Sequence, residues 1–496
     1  MSPKSSMALI GPSGNDFAWQ TVVLAGDAYK TDYQIQTSEP ATGAVLAKVG
    51  AVEGCDVAHY CKIAAMAQAG WASTSPEARA AVLNRAGVLL GDHSEELAGW
   101  IMRETGSNLP KAHFEIEHSI GELSYAASLC LHPSGQLFHH NDPSRLSMAS
   151  RVPLGVVGVI TPWNVVPFAL AMRSVAPALA AGNAVVLKPD PNTPVTGGIA
   201  LARLFQLAGL PAGVLACLPG NADAGEAVVA DPNIHMVTFT GSSDVGRHVG
   251  KLAGQELKKV ILELGGNSPM LVLEDADLAG AASCGAFGSF NHQGQVCMAT
   301  SRHIVHRKIA SEYTDILVSK ANALPVANPA DNPYALGPLI NERQRARVHD
   351  IVQRSLSAGA TLLAGGEYDG LFYRPTVLGN VTPDMPAFSD EIFGPVAPIT
   401  IVDSQEEAIA LANDTAYGLS AAVQTGSMAR GLEIAHQLHA GMVHINDQTI
   451  NDFPHTPMGG MGQSGNSSRF GAVSNLEEFT QWKWVTAGAT PVPYPF

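Results

Sequence analysis

The segment VVGVITPWN at residues 156–164 begins a regular alternation of short apolar runs and helical patterns. The apolar runs continue with NAVVLKP at 183–189, HMVTFTG at 235–241 and KKVILELGG at 258–266. Segments with helical spacing lie between them, such as FALAMRSVAPALAAG at 168–182. Short strands that are apolar throughout and are separated by helices are typical of a parallel sheet covered on both faces. The alternation therefore predicts an α/β fold.

Four further regions complete the predicted organisation. Residues 56–105 carry apolar side chains at helical spacing, and a second alternating block covers roughly 265–460. Between 130 and 150 the sequence becomes polar and rich in turn residues, which indicates an inserted hairpin or arm. The tail FTQWKWVT at 479–486 is typical of an exposed or intersubunit strand.

Composition excludes several classes of protein. The 496 residues carry a net charge of −15, which disfavours nucleic-acid and anionic-membrane partners. Charged residues make up only 15% of the chain, against roughly 25% in an average soluble domain. We therefore expect part of the surface to be covered in an oligomer. Six sparse cysteines and an N-terminal apolar stretch too short for a signal peptide favour a reduced, cytoplasmic protein.

Two glycine-containing segments are candidate phosphate cradles. The segment GMGQSG at 460–465 fits the dinucleotide spacing, but only 31 residues follow it, too few for the unit that this motif requires. The segment TGSSDVG at 240–246 follows a predicted strand and begins a predicted helix. It is either an anion-binding helix start or an ordinary capped helix. No residues show convincing metal-ligand spacing, so we expect no metal site.

Three polar residues carry the expected chemistry. Cys297 follows two turns that contain glycine, Glu263 ends a buried strand before Gly-Gly, and Asn164 follows another strand. Taken singly, each has a structural explanation: a buried thiol, a satisfied carboxylate and a turn amide. Together they supply a nucleophile, a base and an oxyanion donor, the set that acyl chemistry requires.

The chain resembles the NAD(P)-dependent aldehyde dehydrogenase superfamily over residues 30–485. Glu263 and Cys297 stand 34 residues apart, as they do in that family. The matching stretches are TPWN (161–164), PALAAGNAVVLKP (177–189), FTGSSDVG (239–246), LELGGNSP (262–269), QGQVC (293–297), EIFGP (391–395) and GGMGQSG (459–465). Several segments of this sequence, including LKPDPNTPV and HINDQTINDFPHTPMGG, are most similar to the benzaldehyde dehydrogenase, or aromatic aldehyde, branch of the family.

The resemblance implies roles for particular residues. Cys297 would be the nucleophile, Glu263 the general base, and Asn164 with the Cys297 N–H the oxyanion hole. The implied cofactor-binding residues are Ile160, Thr161, Trp163, Lys188, Gly241, Ser242, Gly246, Leu264, Glu391 and Phe393. The implied substrate pocket consists of Val165, Val166, Val296, Met298, Phe453 and Met458. All six side chains are apolar, and none could form an ion pair with a charged substrate. We therefore expect a neutral aromatic aldehyde as substrate.

The resemblance also implies a domain organisation. A Rossmann-like cofactor domain would cover 1–129 and 150–263, and an α/β catalytic domain 264–465. A small β bridging arm of 130–149 and 466–496 would join subunits into dimers or tetramers. The implied reaction oxidises the aldehyde to the carboxylic acid through a thiohemiacetal and a thioester on Cys297. The alternatives are an aliphatic or other aldehyde dehydrogenase, a non-catalytic relative and a cofactor-independent thiol hydrolase.

Three positions depart from the family pattern. Pro191 stands where many NAD-selective relatives carry a Glu that hydrogen-bonds to the ribose hydroxyls. We therefore expect both NAD and NADP to support turnover, with NAD moderately preferred. The segment after Asn164 reads NVVP, one residue longer than usual. Gln481 replaces an acidic residue near the C-terminus, so proton release through that position is not expected.

Overall fold

The computed structural model describes residues 8–13, 18–165 and 167–495. In chain order, the strands are β1 (Val22–Ala25), β2 (Asp27–Lys30), β3 (Gln34–Ser38), β4 (Val45–Gly50), β5 (Gly135–Phe138), β6 (Leu146–Pro153), β7 (Val156–Ile160), β8 (Ala184–Lys188), β9 (Leu215–Cys217), β10 (Ile234–Thr240), β11 (Lys259–Glu263), β12 (Ser268–Val272), β13 (Thr300–His306), β14 (Thr361–Ala364), β15 (Tyr368–Asp369), β16 (Phe372–Tyr373), β17 (Thr376–Gly379), β18 (Val396–Val402), β19 (Ser420–Gln424), β20 (Met442–Ile445) and β21 (Thr480–Ala487).

The α-helices are α1 (Val57–Ala72), α2 (Pro76–Asp92), α3 (Ser94–Thr105), α4 (Leu109–Leu129), α5 (Pro167–Ala180), α6 (Ala200–Leu207), α7 (Ala222–Ala230), α8 (Ser243–Gln255), α9 (Leu278–Phe290), α10 (Ala310–Ala323), α11 (Glu342–Ser357), α12 (Pro386–Ser389), α13 (Gln405–Asn413), α14 (Met428–Ala435) and α15 (Ser474–Phe479). A π-helical turn at Val195–Ile199 leads into α6. Among the described helices, none is long and apolar enough to cross a membrane.

The first sheet confirms the predicted α/β alternation. In the described part of the chain its order is β11-β10-β7-β8-β9-β1-β2, and the strands from β7 to β11 are parallel. Every residue of β7 and β8 is buried, as expected for strands covered on both faces. The edge strands β1 and β2 run antiparallel and were not predicted.

Two further sheets hold the rest of the strands that concern the site. The second has the order β14-β17-β18-β13-β12-β19-β20 and is parallel except for the edge pair β14 and β17. The third, β21-β6-β5, is antiparallel, which confirms the predicted hairpin and exposed tail strand. The predicted domain boundary between residues 149 and 150 falls within β6, and the domain division stays a prediction.

Candidate active site

The carboxyl ends of neighbouring parallel strands bring the predicted residues of the first sheet together. In register, Ile160 of β7 pairs with Lys188 of β8 on one side and with Phe239 of β10 on the other. Thr240 in turn pairs with Glu263 of β11. Ligands of open α/β sheets bind at this edge because the loops and helix starts that follow the strands converge there. Ile160 and Lys188, two of the family-implied cofactor residues, therefore share one edge with Glu263.

The start of α8 provides a place for an anion. Ser242 occupies the N-cap position, is exposed, and its side chain makes no capping hydrogen bond. The first N–H groups of a helix lack partners within the helix and favour negative charge. Gly246 lies so close to Leu264 that a Cβ at 246 would come within 2.3 Å of the leucine side chain. This contact packs α8 against the segment that follows Glu263.

Lys188 is the cation at this edge. Its side chain is buried, and burial lowers the pKa of its ammonium, while Asp190 and Asp223 oppose that shift. Pro191 lies half-buried just beyond, next to an Asp190 carboxylate that accepts hydrogen bonds from Asn192. Residue 191 thus adds no charge beside Lys188.

A Gly-Gly turn joins the two large sheets at the site. The Gly266 N–H donates to a Glu391 carboxylate oxygen at 2.9 Å. A Cβ at Gly265 would lie 2.5 Å from the Glu391 carboxylate, and one at Gly266 would lie 2.3 Å from the Cys297 carbonyl oxygen. Only residues without a side chain fit between these groups, which explains the Gly-Gly pair after Glu263.

The loop before β18 also reaches the first sheet through an aromatic contact. Phe393 packs edge-to-face on Trp163, with ring centroids 5.6 Å apart and planes at 86°. Burial raises the pKa of Glu391 to about 7, and the hydrogen bond from Gly266 opposes this shift. The structure therefore brings Glu391 and Phe393, in the loop before β18 of the second sheet, to residues that follow the strands of the first sheet.

Cys297 lies in the loop between α9 and β13, in an apolar cluster. Its neighbours there include Val165, Val296, Met298 and Met458, four of the predicted pocket residues. Only 8% of Cys297 is exposed, and burial raises the pKa of its thiol well above the usual value. The negative charge of Glu263 raises it further, and the positive charge of Arg173 lowers it. The resting residue is a neutral thiol that needs activation.

Glu263 is a buried carboxyl group without a fixed partner. It is 1% exposed, and neither of its oxygens makes a hydrogen bond of normal geometry to the described residues. Burial raises its pKa to about 7, while Arg173 lowers it and Asp452 raises it. A carboxyl group with a pKa near neutrality can give and take protons at physiological pH. This state suits a general base.

Asn164 is buried and aimed at the segment before Cys297. Its Nδ2 donates to the Gln295 carbonyl oxygen at 3.1 Å, which leaves its second N–H for another acceptor. The next residue, Val165, has a φ of 30°, a conformation that β-branched residues rarely adopt. This strained backbone lies at the segment where we expect one more residue than the family pattern has. Val166, a predicted pocket residue, lies outside the described residues.

The sixth predicted pocket residue lies apart from the cluster around Cys297. Phe453 is half-exposed and stacks on His455, with ring centroids 5.6 Å apart. It belongs to the segment between β20 and α15 that also carries Asp452 and Met458. Phe453 is therefore a surface residue of this segment, and its role in the pocket stays a prediction.

Sequence reasoning missed a charged residue at the site. Arg173 of α5 donates to the Asp452 carboxylate at 3.0 Å and contacts the Met458 sulfur at 3.2 Å. The predicted pocket residues include no charge, yet this buried cation touches one of them. Its one available signal was an arginine inside the otherwise apolar helical pattern at 168–182.

A second missed feature supports the loop that carries Asn164. Glu115 of α4 accepts a hydrogen bond from the Phe168 N–H at 2.8 Å, at the start of α5. Lys111, one turn earlier on α4, donates to the other Glu115 oxygen at 2.9 Å. Both side chains are buried. This ion pair fixes the helix start that follows Asn164.

Comparisons with known proteins show which family and which relatives this chain resembles. A sequence profile of the aldehyde dehydrogenase family matches residues 28–485. A vanillin dehydrogenase from Amycolatopsis sp. is 51% identical over 459 residues, covering 92% of this chain and 94% of that protein. A benzaldehyde dehydrogenase [NAD(+)] from Pseudomonas putida is 51% identical over 458 residues, with the same coverage of both chains. The NAD+ complex of an aldehyde dehydrogenase from Bacillus cereus superposes with a TM-score of 0.92 at 34% identity, covering 95% of this chain and 97% of that one.

Proposed function

The chain belongs to the aldehyde dehydrogenase family, and from this premise we propose that it oxidises an aromatic aldehyde to the carboxylic acid with NAD or NADP. Two observations support the proposal: the charge of Glu263 raises the pKa of the Cys297 thiol, and the Asn164 amide donates to the carbonyl of Gln295, two residues before Cys297. The 51% identity to a vanillin dehydrogenase and to a benzaldehyde dehydrogenase supports the aromatic substrate.

The residues at the sheet edge fit a dinucleotide. Lys188 would hold the adenosine ribose, and Ser242 with the first N–H groups of α8 would hold the pyrophosphate. Glu391 would bind the nicotinamide ribose, with Phe393 against the ring. Ile160, Thr161, Trp163, Gly241, Gly246 and Leu264 would line the rest of the cradle. When bound, NAD(P)+ supplies the hydride acceptor.

Cys297 begins the reaction. After its thiol has lost its proton to solvent water, the thiolate attacks the aldehyde carbon, a C–S bond forms, the C=O double bond becomes a single bond, and the oxygen takes the negative charge. The free N–H of Asn164 and the Cys297 backbone N–H would stabilise this oxyanion, and one such donor is typically worth ~3–4 kcal/mol. The apolar cluster around Cys297 suits a neutral aromatic ring.

Loss of a hydride from the former aldehyde carbon, which bound NAD(P)+ would accept, re-forms the C=O bond and leaves a thioester on Cys297. Glu263 completes the reaction from this thioester. Its carboxylate removes a proton from a water molecule as the oxygen attacks the acyl carbon. The C–S bond then breaks, the Cys297 thiolate leaves, and the carboxylic acid is released. A base with a pKa of about 7 is ionised in a useful fraction at neutral pH.

A panel of aldehydes with each cofactor tests the proposal. Benzaldehyde and vanillin should produce reduced cofactor with a higher kcat/KM than propanal or succinate semialdehyde, because the pocket is apolar. Cys297→Ala should produce none. Equal kcat/KM for succinate semialdehyde and benzaldehyde would contradict the aromatic assignment. Absence of reduced cofactor with every aldehyde would favour a non-catalytic relative, and ester hydrolysis without cofactor would favour a thiol hydrolase.

Cofactor preference and assembly extend the proposal. Because Pro191 places no carboxylate near Lys188, we expect both cofactors to support turnover, with NAD moderately preferred. We also propose that the third sheet joins subunits into a homodimer or homotetramer. Its exposed apolar side chains support this assembly, among them Leu137, Met148, Trp482 and Trp484. The six cysteines are free, which supports a cytoplasmic location.

A further inference from the structure

Arg173 is a buried guanidinium group at the edge of the candidate active site. It is 3% exposed and lies on α5, the helix that begins just after Asn164. Its Nη1 donates to the Asp452 carboxylate at 3.0 Å, and its guanidinium carbon lies 4.9 Å from the centre of the Phe470 ring. The same Nη1 contacts the sulfur of Met458, which packs in the apolar cluster of Cys297.

Only part of the guanidinium group is hydrogen-bonded. Its Nε and Nη2 atoms are buried and have no hydrogen-bond partner among the described residues. Burial alone would lower the pKa of Arg173, but Asp452 and Glu263 raise it above its usual value, so the charge persists. A buried charge that is only partly paired is costly, and it acts strongly on charges near it.

The charges that face the reacting groups come from several elements. Glu263 on β11 is influenced by Arg173 on α5, by Asp452 and Glu391 from two loops, and by Cys297. Cys297 is influenced by the same two carboxylates, by Glu263 and by Arg173. In both cases Arg173 favours the negative form and the carboxylates oppose it.

Two more titratable groups lie behind Arg173. Glu122 of α4 is among the charges that favour the protonated guanidinium. His118, one turn earlier, places its Nε2 3.6 Å from the Glu122 carboxylate and is also influenced by Asp452 and Arg173. Neither Glu122 nor His118 is among the groups that influence the pKa of Glu263 or Cys297, whereas Arg173 influences both.

We propose that Arg173, anchored by Asp452, is a positioning residue whose positive charge sustains the negative charge on Glu263 and Cys297 during turnover. The proposal rests on the proposed function, because it assigns Arg173 to the reaction of those two residues. It requires no contact between Arg173 and the substrate. The anchoring carboxylate has the opposite electrostatic effect to the guanidinium, and this opposition makes the proposal testable.

Substitution of Arg173 and of Asp452 should shift the pH at which Glu263 and Cys297 ionise in opposite directions. Arg173→Met removes the cation and keeps an unbranched side chain, so Glu263 and Cys297 should ionise only at higher pH. Asp452→Asn keeps the cation and removes the opposing anion, so both should ionise at lower pH. Arg173→Lys keeps the charge and should restore most of the wild-type behaviour. Nearby charges shift a pKa by ~1–3 units, and we expect each midpoint to move by about one pH unit.

Two measurements record these midpoints. The first is the pH dependence of kcat for benzaldehyde oxidation, and the second is the pH dependence of Cys297 alkylation by iodoacetamide without aldehyde. Arg374→Met and Asp403→Asn are matched controls, because each removes the same charge from an exposed ion pair. We expect an upward shift in both profiles for Arg173→Met, a downward shift for Asp452→Asn and no shift for the controls.

Shifts in the same direction for both variants, or shifts no larger than those of the controls, would overturn the proposal. If Arg173→Met does not fold, Asp452→Asn and Arg173→Lys still decide it: a downward midpoint in the first and a near-normal one in the second support it. Failure of the proposed function is distinguishable. A wild-type protein that oxidises no aldehyde still gives an alkylation profile, and opposite shifts there would support the charge effect on Cys297.

Discussion

Replacement of Glu263 by glutamine should separate the two halves of the reaction. Glutamine keeps the shape of the side chain and removes its basicity, so only the step that needs an activated water should slow. Loss of a positioned base typically costs ~10²–10⁴ in rate, and we expect steady-state turnover to fall by that factor. Formation of the thioester does not need water. A rapid burst of reduced cofactor, near one per active site, should therefore survive.

The pKa of Glu263 predicts how the rate of deacylation depends on pH, and this dependence should be lost when Glu263 is replaced. With a pKa of about 7, the carboxyl group is about one tenth ionised at pH 6 and about nine tenths at pH 8. The base is the ionised form, so wild-type deacylation should rise almost tenfold across this interval. The Glu263→Gln variant should show no such rise between pH 6 and pH 8.

Stopped-flow absorbance of the reduced cofactor measures both the burst and the steady state. A deuterated aldehyde identifies the step that forms reduced cofactor, because deuterium should slow the burst and leave the slow phase unchanged. If Glu263→Gln abolishes the burst, Glu263 activates Cys297 rather than water. Unchanged turnover would refute its role as the base. Cys297→Ala should lose both phases.

Other perturbations address the cofactor site, the loop support and the assembly. Pro191→Glu should raise the NAD/NADP ratio of kcat/KM, because a carboxylate facing a 2′-phosphate is repelled; an unchanged ratio would place residue 191 away from the ribose. Glu115→Leu leaves the Lys111 charge buried and unpaired, which should lower the free energy of unfolding by about 3–5 kcal/mol in urea titrations. Adding Lys111→Met should recover part of that loss. Trp484→Glu should lower the oligomer mass in light scattering, whereas Leu257→Glu, at a residue that is 93% exposed, should not. An unchanged mass in both would argue against the third sheet as an interface.

The sequence by itself determined most of the local architecture. The apolar runs that predicted strands at 156–160, 183–189 and 235–241 overlap β7, β8 and β10, because strands buried on both faces are apolar throughout. Glu263 could be recognised because it ends the strand β11, and Asn164 because it lies four residues after the end of β7. Neighbouring parallel strands bring such ends to one edge of the sheet. Spacing and motif wording then identified the family and Cys297.

Tertiary structure alone decided the environment of these residues. Arg173 is hydrogen-bonded to Asp452, which lies 279 positions further along the chain, and no local sequence pattern links the two residues. The contact between Glu391 and Gly266 joins residues 125 positions apart. Burial raises the pKa of Glu263 to about 7, whereas Arg173 opposes this shift. Periodicity reports which face of an element is buried, but the charges that meet inside the fold depend on how distant elements pack.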